Sequence, residues 1–329
     1  MNFDYNEEQQ LLADSVRRFL QKDYDFEARR KIVASPAGWS ERVWATFAEM
    51  GLTGLPLSPD YGGFGGAAVD LMSVMEAFGE ALVVEPYLPT VLAARIVAGA
   101  GTPRQKQAIL PLVVQGKMRL ALATGERGVI GAPMAHRIVL AEKDKVRLFQ
   151  PGEMKPYRTV DDLAAAEVRF DGKGEQLGGG GSALLDEVLD FGAALSCAEA
   201  VGAMKFACDT TLEYLKTRKQ FGVPIGAFQA LQHRMVDMFI SYEQAKSMAC
   251  LACSKVDQSA SAHDRARSVS AAKIKIADAA RHISQESVQL HGGMGMSEEL
   301  KVSHTFRRLT VLARRFGDAD QHLARFASL

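Results

Sequence analysis

The sequence predicts a mainly α protein in three parts: a helical N-terminal domain over residues 1–117, a small β domain over 118–181 and a C-terminal four-helix bundle over 182–329. Apolar residues recur at steps of three and four through both outer parts. From Met118 the texture changes to short apolar runs divided by Gly, Pro and Lys-Asp, which read as strands and turns. With 329 residues, 47% of them hydrophobic and 24% charged, the chain can bury a sizeable core.

The first helix is expected over residues 4–22, capped by Asn6, with Leu11, Leu12, Val16, Phe19 and Leu20 as its apolar face. A second runs from Trp39 to Met50 and stops at Gly51. Leu55 to Gly66 is a glycine-rich loop; no strand precedes it and no Lys-Ser/Thr follows, so it is not a phosphate cradle. Helices follow over 68–82, 86–99 and 103–115. Strands are expected at 120–124, 138–141, 146–149 and 167–170, and Gly178 to Gly181 read as a flexible joint before Ser182, an N-cap. In the bundle, Cys197, Val201, Met204, Cys208, Leu212 and Leu215 share one face. Phe228, Leu231, Met235, Met238, Tyr242, Ala245, Ala249 and Ala252 form a seam of small and soft residues. Further helices are expected over about Arg265–Leu290 and Val302–Arg315, with a short tail helix after Asp320.

Lys plus Arg equals Asp plus Glu, at 39 each, which gives no support for nucleic-acid binding. The four Cys are too unevenly placed for a disulfide framework and fit a reducing, cytoplasmic setting. Neither a secretory leader nor a membrane span is expected. Cys250-x-x-Cys253 lies mid-helix with no second pair and reads as packing rather than metal binding. Hydrolase and Walker-loop motifs do not occur.

The chemistry concentrates at a helix break. Arg218-Lys219-Gln220-Phe221-Gly222-Val223-Pro224-Ile225-Gly226 ends one long helix, and Phe228-Gln229 starts the next. The break turns Arg218, Gln220 and Gln229 into one corner, suited to a phosphate or a polar ring edge. A second corner is the helix end Gln289-Leu290-His291-Gly292-Gly293-Met294-Gly295, whose glycines admit close backbone approach. His291 is there as a cofactor neighbour or as a loop hydrogen-bonding residue; His233 reads as a helix-face residue.

These two segments, with Pro59-Asp60-Tyr61-Gly62-Gly63, resemble the signatures of the acyl-CoA dehydrogenase family of flavoproteins. Asp25 to Arg30 and Phe316 to Asp320 look like the branch of small subunits of pimeloyl-CoA-type dehydrogenases. The resemblance implies an FAD-dependent oxidoreductase of fatty acid metabolism, acting by α,β-dehydrogenation of an acyl-CoA thioester. A carboxylate removes the α-proton while the β-hydrogen leaves as hydride. It implies that Arg218 and Gln220 hold the FAD pyrophosphate, that Phe221 and Gln229 lie by its adenosine part, and that Gln289, Gly292 and Gly293 come from a neighbouring subunit. An oligomer follows, with itself or with a full-length homologue, as does an electron-transfer flavoprotein or similar acceptor.

The sequence departs from the family in three places. The C-terminal base Glu is missing from Arg314-Arg315-Phe316-Gly317-Asp318, where Asp318 is the nearest carboxylate. At the alternative position near Gly192, Asp190 is the nearest. The β domain is also short, with a reduced Thr124-Gly125-Glu126-Arg127-Gly128 motif and neither Trp39 nor Trp44 inside it. The rival expectation is therefore a non-catalytic subunit that completes a partner's FAD site.

Overall fold

The computed structural model describes residues 6–125, 127–142, 145–179, 181–259 and 261–329. In chain order its elements are α1 (Glu7–Asp23), α2 (Phe26–Ala34), α3 (Glu41–Glu49), α4 (Ala68–Ala81), α5 (Tyr87–Ala100), α6 (Pro103–Val114), β1 (Leu120–Ala123), β2 (Val129–Ile130), β3 (Arg137–Glu142), β4 (Lys145–Phe149), β5 (Met154–Arg158), β6 (Ala164–Val168), β7 (Glu175–Gln176), α7 (Ser182–Thr217), β8 (Lys219–Gln220), β9 (Val223–Pro224), α8 (Gln229–Gln258), α9 (Ala262–His291), α10 (Lys301–Leu312) and α11 (Ala319–Ser328). The chain clusters into two compact units. One joins Met1–Arg29, Ala68–Val83 and Ala193–Leu329; the other joins Arg30–Ala67 and Val84–Gly192. The division into 1–117, 118–181 and 182–329 follows secondary-structure content, and we retain it as a proposal about domains.

The unit that contains β1 to β7 is built on two small sheets. One has the order β1-β3-β4-β7, with β1 parallel to β3; the other has the order β2-β6-β5. Ala121, Val129, Ile138, Leu140, Phe149 and Val168 are buried together. α5 is tied to β1, since Thr90 Oγ1 donates to the Leu120 carbonyl at 3.1 Å. The glycine-rich loop is a packing device: a Cβ on Gly63 would sit 2.2 Å from the Leu57 carbonyl oxygen. Gly178 packs against Thr102, and the Gly179 amide donates to the Ala100 carbonyl at 2.7 Å, so this end of the expected flexible joint is pinned. Gly180 lies outside the described residues.

The other unit holds α1, α4, most of α7 and the helices α8 to α11. α4 crosses α7 backbone to backbone. A Cβ on Gly79 would lie 1.8 Å from the Glu199 carbonyl oxygen, and one on Gly202 would lie 1.8 Å from that of Glu76. α9 packs along α8 and also against α10 and α11. Arg234 pairs with Glu286 at 2.6 Å and the Ser241 hydroxyl meets His282 Nδ1 at 2.9 Å, fixing the α8–α9 register. Lys273 of α9 is buried and donates to the Leu312 and Arg315 carbonyls at 2.9 and 2.8 Å, satisfying the end of α10.

Several expectations change. Leu11 is 68% exposed; α1 buries Val16 and Leu20 of the expected face, with Ala13 beside them, because the apolar stripe is narrower than the sequence suggests. Ser182 is the first residue of α7, where an N-cap was expected. α10 ends at Leu312, since the next turn hands its carbonyls to Lys273. α2, β2, β5 and β7 were not expected; β5 carries a mostly exposed polar face, and β2 and β7 have two residues each. Among the described residues α7 alone is long and apolar enough to cross a membrane, and 89% of its apolar window is buried, as in a core helix.

The α8 seam is buried from Met238 onward, through Ala245, Ala249 and Ala252. Replacing Met238, which is 0% exposed, by Asp would bury an unpaired carboxylate. We expect Met238→Asp to cost about 3 kcal/mol or more, read as a fall in melting temperature; a soluble variant with an unchanged melting temperature would contradict the seam.

Candidate cofactor-binding corner

Arg218, Gln220 and Phe221 lie at the hairpin where α7 gives way to α8, and Gln229 is the first residue of α8. The Arg218 amide still donates to the Tyr214 carbonyl at 2.8 Å, closing the last turn of α7. The chain then makes a two-residue hairpin in which Gln220 pairs with Val223 and Lys219 with Pro224. Its turn is Phe221-Gly222, with φ of 54° and 81°. Successive left-handed residues are what a tight hairpin turn demands, and Gly222 meets that demand freely. Phe221 does not: a bulky residue held in this region stores strain. It is also 91% exposed, and its ring lies edge-on to that of Phe228 with the centroids 6.2 Å apart. A strained, exposed aromatic buries little surface within the fold.

Beyond the hairpin, Gly226 fits under the Leu215 carbonyl, and its own carbonyl accepts from Gln232 Nε2 at 2.8 Å. Phe228 stands at the N-cap of α8 and supplies no side-chain acceptor. The 30-residue helix therefore begins without a side-chain cap, and a helix N-terminus of this kind favours an anion; Arg218 and Lys219, on the hairpin before it, are exposed.

The second corner is bound to the first through one aromatic pair. Tyr214, on the last turns of α7, stacks on His291 at 4.4 Å and 26°, and its hydroxyl reaches the His291 carbonyl at 3.4 Å. His291 Nδ1 is 2.7 Å from the Ser287 carbonyl, so that nitrogen donates, and burial pushes the imidazole pKa below its usual value. Of its two possible roles, the loop-holding one is therefore occupied. Gln289 is exposed just before it. Gly292 has φ 62° and ψ −146°, a conformation essentially reserved for glycine. A Cβ on Gly292 or Gly293 would meet nothing within 4 Å, so these backbones face open space. Gly295 serves packing instead, under the Val288 carbonyl.

The two candidate carboxylates differ in setting. Asp318 is exposed and caps α11: its Oδ1 accepts from the Gln321 amide at 2.9 Å, and Gln321 Oε1 accepts in return from the Asp318 amide. Asp190 is buried on α7. Sequence reasoning missed a third carboxylate, Glu199, which is buried and lies 2.5 Å from Arg308 Nη1 and 3.2 Å from Arg315 Nη1. Its signal was a single Glu in the apolar run Cys197 to Val201. Cys253 is buried with its Sγ 3.6 Å from the Ala194 carbonyl, and burial raises the thiol pKa of both Cys250 and Cys253. Glu126, in the expected Thr124–Gly128 motif, lies outside the described residues.

The corner stands at the edge of a helical bundle. Residues 6–117 match the acyl-CoA dehydrogenase N-terminal domain and residues 179–327 the acyl-CoA dehydrogenase C-terminal domain. The acyl-CoA dehydrogenase IpdE2 of Mycobacterium tuberculosis is 30% identical over 323 residues, covering 98% of this chain and 97% of that protein. Its namesake in Mycolicibacterium smegmatis is 28% identical, over 97% and 98% of the two chains. The fold agrees with the ChsE4-ChsE5 complex of M. tuberculosis, with a TM-score of 0.91 at 22% identity over 100% of this chain and 98% of that one. It agrees as well with glutaryl-coenzyme A dehydrogenase in its glutaryl-CoA complex, at 0.89 and 20% identity over 99% and 96%. The chain belongs to the acyl-CoA dehydrogenase family.

Replacing Phe221 by Gly relieves the left-handed strain and removes the exposed ring. We expect Phe221→Gly to raise stability by up to about 1 kcal/mol in thermal melts. A loss of stability would show that the ring is part of the fold.

Proposed function

We propose that this chain is an FAD-dependent acyl-CoA dehydrogenase that works within an oligomer. The observation that carries the reading is the hairpin corner: a strained, exposed Phe221 beside Arg218 and an uncapped α8 N-terminus. These residues fit the cofactor, whose pyrophosphate needs paired donors and whose adenine needs a flat apolar face. Arg218 and Gln220 would hold the pyrophosphate, with Phe221 and Gln229 by the adenosine end. Gln289, Gly292 and Gly293 would approach a second cofactor across a subunit boundary. Bound FAD supplies the hydride acceptor for the substrate's β-hydrogen.

The remaining chemistry is removal of the α-proton. Asp318 has one oxygen committed to the start of α11, and it could leave that cap only at a cost to the helix. Asp190, buried on α7, is the other candidate within this chain. A second reading has specific support: the stretch Arg314 to Asp318 holds no Glu, so the base would come from a full-length homologous subunit. Val236, Phe239 and Ile240 are 54%, 55% and 47% exposed on α8, an apolar face a companion chain would cover. The ChsE4-ChsE5 neighbour is itself a two-component complex. The electron acceptor would be an electron-transfer flavoprotein or a similar carrier. The four free thiols favour the cytoplasm.

The visible spectrum tests the reading. Purified protein should carry oxidised-flavin absorbance that an acyl-CoA bleaches. Asp190→Asn should lower turnover by about a hundredfold or more if this chain supplies the base. Colour acquired only on co-expression with a homologue, with turnover indifferent to Asp190→Asn, would move the base to the partner. A protein colourless under every condition would overturn the reading.

A further inference from the structure

Away from the cofactor corner, and sharing none of its residues, lies a cavity of about 220 Å³ lined by Arg17, Leu20, Tyr24, Ala77, Glu80, Ala81 and Lys301 among others. Leu20, Ala77 and Ala81 make its apolar wall, while Arg17 and Glu80 carry charge to it. Lys301 is the first residue of α10. Lys301 is half-buried, and its Nζ lies 4.0 Å from the centroid of the Phe206 ring of α7. No carboxylate is within ion-pair distance of it among the described residues. We propose that Lys301 is an acylation site, its amine taking a short acyl group from an acyl-CoA thioester into this cavity.

The volume decides the class of ligand. It is below the roughly 300–1,000 Å³ of pockets that enclose whole cofactors or drug-sized molecules, so it accommodates a short acyl chain while the CoA moiety stays outside. The apolar wall suits the chain. Arg17, at the cavity, is paired with Glu76 at 3.6 Å, so the charge on this side is already balanced.

Electrostatics prepares the amine. Burial is the largest influence and pulls the Lys301 pKa down to about 8; Glu80 of α4 opposes it and Arg29 of α2 adds to it. Tyr24 and Asp25 also line the cavity, and Asp25 is engaged in capping α2 through the Ala28 amide at 2.8 Å. A lysine in this state has a substantial neutral fraction at neutral pH, whereas an exposed one, with a pKa near 10.4, has roughly a hundredth as much. In the step, the Nζ lone pair forms a bond to the thioester carbonyl carbon and the C–S bond breaks. CoA leaves as thiolate and takes up the proton lost by nitrogen, giving an amide and free CoA thiol with no oxidant or reductant. The product has no charge at Nζ, so it ends the cation–π contact with Phe206.

The test is incubation of the purified full chain with acetyl-CoA from pH 7 to 10, with acetyl occupancy read at each lysine by peptide mass spectrometry. At pH 7.5 Lys301 should react about ten times faster than the median exposed lysine. Its rate should level off above about pH 9, while exposed lysines continue to accelerate towards pH 10. Ala81→Phe, which fills the cavity from a half-buried position, should cut Lys301 labelling about tenfold and leave the other lysines unchanged. Glu80→Gln removes the carboxylate that favours the ammonium form and should move the plateau to lower pH. Lys301 labelling no faster than that of exposed lysines at pH 7.5 would overturn the proposal, as would a pH profile unmoved in folded Glu80→Gln.

Discussion

The buried ion pair between Glu199 and Arg308 is the contact on which the helical unit depends. Glu199 sits on α7 and Arg308 on α10, and both are almost fully buried. A buried carboxylate is tolerable only with a partner, and the same holds for a guanidinium. Arg308 also donates twice, at 3.1 Å, to the Val83 carbonyl just past α4, and Arg315 reaches the second oxygen of Glu199. One charge cluster thereby joins α7, the end of α4 and the chain beyond α10. Nearby, Arg29 Nε donates to the Leu82 carbonyl at 2.8 Å, so two arginines satisfy the end of α4 where Leu82 turns left-handed. Breaking such a pair from one side leaves an uncompensated buried charge, which costs far more than the intact pair contributes.

That cluster fixes α7, and α7 carries the proposed cofactor corner at its far end. The close crossing at Gly79 and Gly202 removes any freedom to slide. Further along α7, the Tyr214 ring on His291 ties the hairpin to the glycine turn that ends α9. Rigid helices thus position two backbone-rich, solvent-facing turns. This is the arrangement expected of a site that binds by donors and stacking and leaves proton removal to a carboxylate elsewhere.

Local physics was legible in the sequence. Asn6 as a cap, Gly51 as a stop, the Met238–Ala252 seam and the break at Phe221-Gly222 follow from side-chain chemistry within a few residues. What was not legible depends on distant partners. Nothing near Glu199 announces Arg308, 109 residues away. Gly79 and Gly202 look like helix weaknesses until each is seen under the other helix's carbonyl. β5, mostly exposed and carrying Pro156, lacks the alternation that marks a strand. The role of Asp318 was legible and overlooked: Asp318 and Gln321 have the spacing of a capping box.

The proposed cofactor site rests on Arg218 and its neighbours holding the pyrophosphate. The direct measurement is FAD affinity of the apoprotein in its isolated assembly, by flavin fluorescence titration, for wild type and Arg218→Ala. Loss of a charge-assisted contact to phosphate, worth about 1.5–3 kcal/mol, should weaken FAD binding by roughly ten- to a hundredfold without altering the melting temperature of the apoprotein. Equal affinity in the two proteins would contradict it.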